Sequence, residues 1–276
     1  GSAVVALLVG ASRWWPIVML PLSVVLLAAF VFVEKRAREP VLPMELLSRR
    51  VILISSICGS VVGAVMSSSV IYLPLFVQAV MQGSPTEAGG AVAPMLVGWP
   101  LASAIGGRLL PRTGYRPLIR TGFVVVSVST VLVMLTLRAH SSLLTIGAVM
   151  FVMGVGMGLA NTALLIAVQE SVSWQERGVA TASAMFFRTI GGAISVGALG
   201  ALLAASFGPD VPTALLNKVV GPEHGHDLPA ATLALLSREL DAGLARVFQV
   251  IAGLSVVAVV ASLFFPAGKL GEAPSS

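Results

Sequence analysis

Cysteine is nearly absent: the 276 residues hold one, Cys58. That excludes a disulfide framework within the chain and a cysteine-built metal site, and leaves packing as the role of Cys58. Charge is scarce too. Asp, Glu, Lys and Arg make up 11% of the residues against 57% apolar, and the mean hydropathy is +0.97. Polar surface on that scale does not keep a chain of this length soluble as a globule. There is no Walker-type phosphate loop, no glycine-rich turn after a strand, and no nucleophile beside a base, so neither an enzyme nor an ATP-driven pump is expected. A net charge of +5 in a soluble protein would suggest nucleic acid. Here the placement of the basic residues matters more than their sum, and no nucleic-acid partner and no cofactor are expected.

What is abundant is long apolar runs. A bilayer core about 30 Å thick needs roughly 20 apolar residues per helix, and seven runs of that kind lie at about 16–33, 51–80, 88–110, 118–137, 143–168, 179–206 and 242–265. They are apolar on every face and about twice the length of a barrel strand, so an all-α, polytopic membrane helix bundle is expected rather than a β-barrel.

The basic residues orient it. Lys35, Arg36, Arg38, Arg49, Arg50, Arg108, Arg112, Arg116, Arg120, Arg177 and Lys269 fall on one side of the alternating spans; Arg13, Arg138, Lys218, Arg238 and Arg246 fall on the other. The positive-inside rule makes the richer side cytoplasmic, which puts the C-terminus inside.

The connections divide the chain. Residues 1–12 read as the end of a truncated upstream helix, so the chain is expected to be part of a longer one. Residues 13–50 hold a central transmembrane helix and a cytoplasmic linker with Pro40 and Pro43, 51–268 a six-helix bundle, and 269–276 a cytoplasmic tail. Within the bundle, the outer loop 207–241 has apolar stretches at 214–220 and 230–240 that suit helices lying in the interface. Its Glu223, His224, His226 and Asp227 are too weak a pattern to read as a metal site.

Small residues recur every fourth position: Gly59, Gly63 and Ser67; Gly98, Ala102 and Gly106; Gly154, Gly158 and Thr162; Ala193, Gly197 and Ala201. Such faces let helix backbones approach where lipid gives no hydrophobic drive for association. Pro74, Pro94 and Pro100 each remove a backbone donor and are expected to bend their helices.

Two stretches carry a family resemblance. Gly107-Arg108-Leu109-Leu110-Pro111-Arg112-Thr113-Gly114-Tyr115-Arg116-Pro117 resembles the cytoplasmic loop motif of the major facilitator superfamily, with Gly107, Arg112, Gly114 and Arg116 matching and Pro111 standing where the motif has Asp. The segment from Leu73 to Gly89, the linker 34–43, and Phe187-Arg188-Thr189-Ile190-Gly191-Gly192 resemble the fourteen-helix drug:proton antiporter branch. The resemblance implies a C-terminal six-helix half plus one preceding central helix, inverted three-helix repeats, and a substrate cavity shared with an N-terminal bundle of the same parent chain. It also implies a small-molecule substrate and proton coupling. The alternative is a transport-inactive receptor or scaffold that keeps the fold, and Pro111 in place of Asp favours it mildly.

Arg188 is the one charged residue inside a span, and such residues are functional hypotheses by default. Its side chain either snorkels to the headgroups or faces a cavity or a neighbouring helix, and the adjacent Gly191 and Gly192 favour tight packing there. Asn161 hydrogen-bonds across helices or lines the cavity. Gln78 and Gln169 lie near helix ends, where solvation explains them more simply. Met66, Tyr72, Met95, Trp99, Met153, Met157, Met185 and Phe186 are candidates for an adaptable apolar wall, though lipid or core contact is the plainer role for most. No Asp or Glu lies in mid-span, so the family's proton-coupling carboxylate is expected in the N-terminal bundle. Gly154, Gly158, Gly191 and Gly192 are the expected packing glycines.

Overall fold

The computed structural model describes residues 49–137, 141–206 and 230–266 together with Val25, Ala29 and Phe32, and of 230–237 the backbone alone. The assignments to 1–12, most of 13–48, the loop residues 207–229 with their histidines, and the tail 269–276 lie outside these. Among the described residues six α-helices are delimited: α1 Arg50–Ala79, α2 Pro85–Thr113, α3 Tyr115–Thr136, α4 Leu143–Glu170, α5 Arg177–Ala205 and α6 Ala230–Leu263. All six are long and apolar enough to cross a membrane. No strand occurs among the described residues.

Local chemistry sets the helix starts. Ser84 caps α2 by accepting from the Glu87 N–H at 3.2 Å, while the Glu87 carboxylate accepts from the Ser84 N–H at 2.7 Å. Pro85 sits in the first turn, where no donor is needed. The same box closes the α4–α5 connection: Ser173 and Glu176 bracket a single 3-10 turn, Trp174–Glu176. The two boxes, Ser84-Pro85-Thr86-Glu87 and Ser173-Trp174-Gln175-Glu176, occupy matching places in α1–α3 and α4–α6.

Helix pairing repeats that correspondence. The most extensive contacts are α2 on α4 and α1 on α5, followed by α3 on α4, α3 on α6 and α6 on α1. Exchanging α1–α3 for α4–α6 maps this set of pairs onto itself, the relation the inverted repeat requires. α1 and α4 are therefore central, and their buried residues, Leu73, Phe76, Met150, Met153 and Met157 among them, form the core.

The close approaches are made by glycine. A Cβ on Gly63 would run into the Arg188 carbonyl, and one on Gly191 into the Ser60 backbone. On the equivalent α2–α4 seam, Gly154 faces the Met95 backbone and Gly158 the Trp99 carbonyl. Gly122 and Gly156 meet at the α3–α4 crossing. Hydrogen bonds fasten the α1–α5 seam: Ser60 Oγ to the Phe187 carbonyl at 3.1 Å, Ser68 with Ser195 at 2.9 Å, and Tyr72 to the Val196 carbonyl at 2.7 Å. Thr130 and Ser255 join α3 to α6 at 2.8 Å.

Two expectations need correction. The spacing Ala193, Gly197, Ala201 is not the face that α5 packs within these six helices; these residues are exposed and Gly197 has open space around it, while the neighbouring Gly191, Gly192 and Ser195 meet α1. Four-residue spacing gives a stripe but not the side on which it falls. The stretch 230–240 is not a separate interfacial helix but the continuous beginning of α6. Arg238, Glu239 and Asp241 interrupt hydropathy but are compatible with helix, so an apolar scan started the helix twelve residues late and left Glu239 and Asp241 in a loop. Pro74, Pro94 and Pro100 lie inside α1 and α2, which continue through them.

Candidate functional site

The site candidate is a cleft where α1, α4 and α5 meet, lined by Ser55 and Gly59, by Asn161, Leu164, Leu165 and Val168, and by Ala184, Met185 and Arg188. Its volume of about 20 Å³ is room for a water-sized group. Arg188 lies eleven residues after Arg177, the first residue of α5, roughly 16 Å along the axis at 1.5 Å per residue. That is near the middle of a bilayer core.

Arg188 is half-buried, and its contacts are long. Nη1 points to Asn161 Oδ1 at 3.5 Å and Nη2 to Met185 Sδ at 3.5 Å. A guanidinium has five donors, and contacts of that length satisfy them poorly. Among the described residues no acidic side chain lines the cleft, and the ion pair found is Arg177 with Glu170, at 3.4 Å. Ser55 adds a second unmet group. It is 3% exposed, and its buried Oγ has no hydrogen-bond partner. Sequence reading missed Ser55, because a serine in a small-residue helix is unremarkable until its neighbours are known.

The other sequence candidates fall elsewhere. Gln78 is 15 residues beyond Gly63, roughly 22 Å along α1 from the Arg188 contact, and bonds its own helix through the Pro74 carbonyl at 3.4 Å. Gln169 donates to Thr181 at 3.1 Å, tying α4 to α5. Met95, Met153 and Met157 are in the core, whereas Met185 is exposed at the cleft.

The loop-motif residues cluster at the end of the bundle where α2, α4 and α6 finish. Gly114 turns α2 into α3 with φ 79° and ψ 176°, a region open essentially to glycine alone. Arg116 reaches the Leu263 carbonyl at 3.4 Å, and Arg120 the same carbonyl at 2.7 Å and that of Ser262 at 3.4 Å. Two arginines at the start of α3 thus satisfy the negative carboxyl end of α6. Arg49 does the same for α4, donating to the Ser171 carbonyl at 2.6 Å. Gly107 faces open space and Arg112 is exposed.

Comparison with known proteins agrees with this architecture. Residues 1–196 match the Major Facilitator Superfamily. The chain is 34% identical over 195 residues to the multidrug transporter protein MdtP of Bacillus subtilis, covering 71% of this chain and 36% of that protein. It is 28% identical over 270 residues to an uncharacterised MFS-type transporter of Mycobacterium tuberculosis, covering 95% and 38%, and 30% identical over 181 residues to a tetracycline resistance determinant of Streptomyces rimosus, covering 65% and 52%. The chain therefore spans between 36 and 52% of the length of these relatives. With its six membrane-length helices it is a multi-pass membrane protein that belongs to the Major Facilitator Superfamily, on the branch that includes such drug-resistance transporters.

Proposed function

We propose that the chain is the C-terminal portion of a secondary active transporter that exports small organic molecules, drugs among them, in exchange for protons by alternating access. Residues 51–268 are its C-terminal six-helix half, preceded by an upstream helix end (1–12) and by a central helix with its linker (13–50), and followed by a tail (269–276). The partner is an N-terminal bundle of the same parent chain, which supplies the other wall of the cavity and the proton-coupling carboxylate. Concentration of Arg49, Arg112, Arg116, Arg120 and Arg177 at one end of the bundle supports a cytoplasmic C-terminus, and the setting is a bacterial plasma membrane.

The observation that carries this reading is Arg188: a charge held near mid-span beside Asn161, on α5 where that helix packs against α1 of the other repeat. A structural arginine at that depth would be expected in a closed hydrogen-bond network, and this one has two long contacts.

The test is dye efflux from energised cells expressing the chain with and without the upstream bundle of its parent reading frame, using ethidium and an anionic fluorescein-type dye, with and without a proton uncoupler. Uncoupler-sensitive efflux of either dye that needs both parts is the expected result. Efflux by this chain alone would overturn the assignment of the proton site to the upstream bundle, and no efflux by correctly inserted protein would favour a transport-inactive member of the family.

A further inference from the structure

We propose that the Arg188 cleft is an oxyanion subsite, and that it takes the carboxylate of a small organic substrate. The inference rests on the transporter reading above and deepens it.

The donor set is one-sided. Arg188 brings a guanidinium that makes two contacts, both at 3.5 Å. Asn161 directs its Oδ1 toward Arg188, which leaves its amide N–H₂ as the free end. Ser55 contributes a hydroxyl that is buried, has no hydrogen-bond partner, and lines the same cleft. Three side chains from three helices thus offer donors, and among the described residues no carboxylate lines the cleft to receive them.

Charge selects among possible guests. A cationic substrate meets a like charge in a low-dielectric setting. A neutral amide gives one carbonyl oxygen and leaves the guanidinium charge uncompensated. A carboxylate presents two oxygens to the guanidinium fork and neutralises it, while Leu164, Leu165, Val168 and Met185 offer an apolar wall to the rest of the molecule. A single water would satisfy Ser55 but not the charge. The cleft, with room for a water-sized group, suits the head group rather than a whole substrate.

The experiment uses the full chain in lipid nanodiscs, titrated by calorimetry with benzoate, benzamide and benzyltrimethylammonium. Benzoate is expected to bind at least about tenfold tighter than benzamide, as one charge-assisted contact implies, with no binding of the cation. R188Q should erase that preference, R188K should keep part of it, and S55A should weaken benzoate several-fold. A thermal melt identifies folded variants; if R188Q does not fold, N161L and S55A carry the comparison. Equal affinities for benzoate and benzamide, a folded R188Q that keeps the preference, or no benzoate binding by the folded chain would overturn the proposal. The last result would assign the guanidinium to a carboxylate on another helix. Dye efflux separates the two claims: benzoate selectivity without efflux removes the transporter reading and keeps the subsite, and efflux without selectivity does the reverse.

Discussion

Two glycines on one helix show how much a single side chain decides. Gly191 and Gly197 are six residues apart on α5, yet a methyl group on the first would enter the Ser60 backbone while one on the second would meet nothing within 4 Å. G191A is expected to destabilise the chain by about 1–3 kcal/mol through overpacking, and G197A to be neutral or to stabilise by up to about 1 kcal/mol through helix propensity. Unfolding of the isolated chain in mixed micelles against denaturing detergent measures both. Gly114 is a different case, limited by conformation rather than space: at φ 79° and ψ 176°, G114A should cost about 1–3 kcal/mol. Sequence alone showed Arg188 and Asn161 because polar residues stand out in an apolar run. It did not show that they meet, nor that Ser55 joins them, since those facts depend on how α1, α4 and α5 cross.

At the scale of the element, hydropathy located the helices because lipid dictates a length, and it placed their ends to within three residues except at the start of α6. α6 starts at Ala230, well before its apolar stretch, because Ala and Leu sustain a helix whether lipid or water surrounds it. The ends are settled by capping groups, some from distant parts of the chain. Removing one should loosen a helix terminus without unfolding the bundle. R120Q, which withdraws the donors to the Leu263 and Ser262 carbonyls, is expected to cost about 0.3–1 kcal/mol and to speed amide hydrogen exchange over the last turn of α6, with α3 little changed. The polar seam between α1 and α5 gives a second expectation. A double-mutant cycle on Ser68 and Ser195, which share a buried 2.9 Å hydrogen bond, should return a coupling of about 0.6 kcal/mol, the usual value for such bonds in membranes. A coupling near zero would mean that glycine packing alone holds the seam.

For the whole molecule, the chemistry of the outward faces differs from helix to helix. α3 turns Val124, Val128, Leu132 and Leu135 outward, and α6 turns Val256, Val257, Val260 and Leu263; bulky aliphatic surface of this kind is what acyl chains contact. α5, the least buried span, turns out Met185 and Ile194 but mainly Ala182, Thr189, Ala193, Gly197 and Ala201, small residues of the kind that helix–helix interfaces in membranes favour. Together with coverage of about a third to a half of its relatives, this supports the proposal that α5 packs against the upstream bundle. Because Cys58 is fully buried, introduced cysteines report cleanly: A193C should be shielded from maleimide when the upstream bundle is co-expressed, and V128C should react equally with and without it.

The central claim, proton-driven export by a transporter of which this chain is the C-terminal part, is tested most directly in proteoliposomes that hold the chain together with its upstream bundle. An imposed pH gradient should drive dye across the membrane against its concentration, with a matching flux of protons in the opposite direction, and collapsing the gradient should stop both. Dye movement that ignores the gradient, or a proton flux that ignores the dye, would contradict the account.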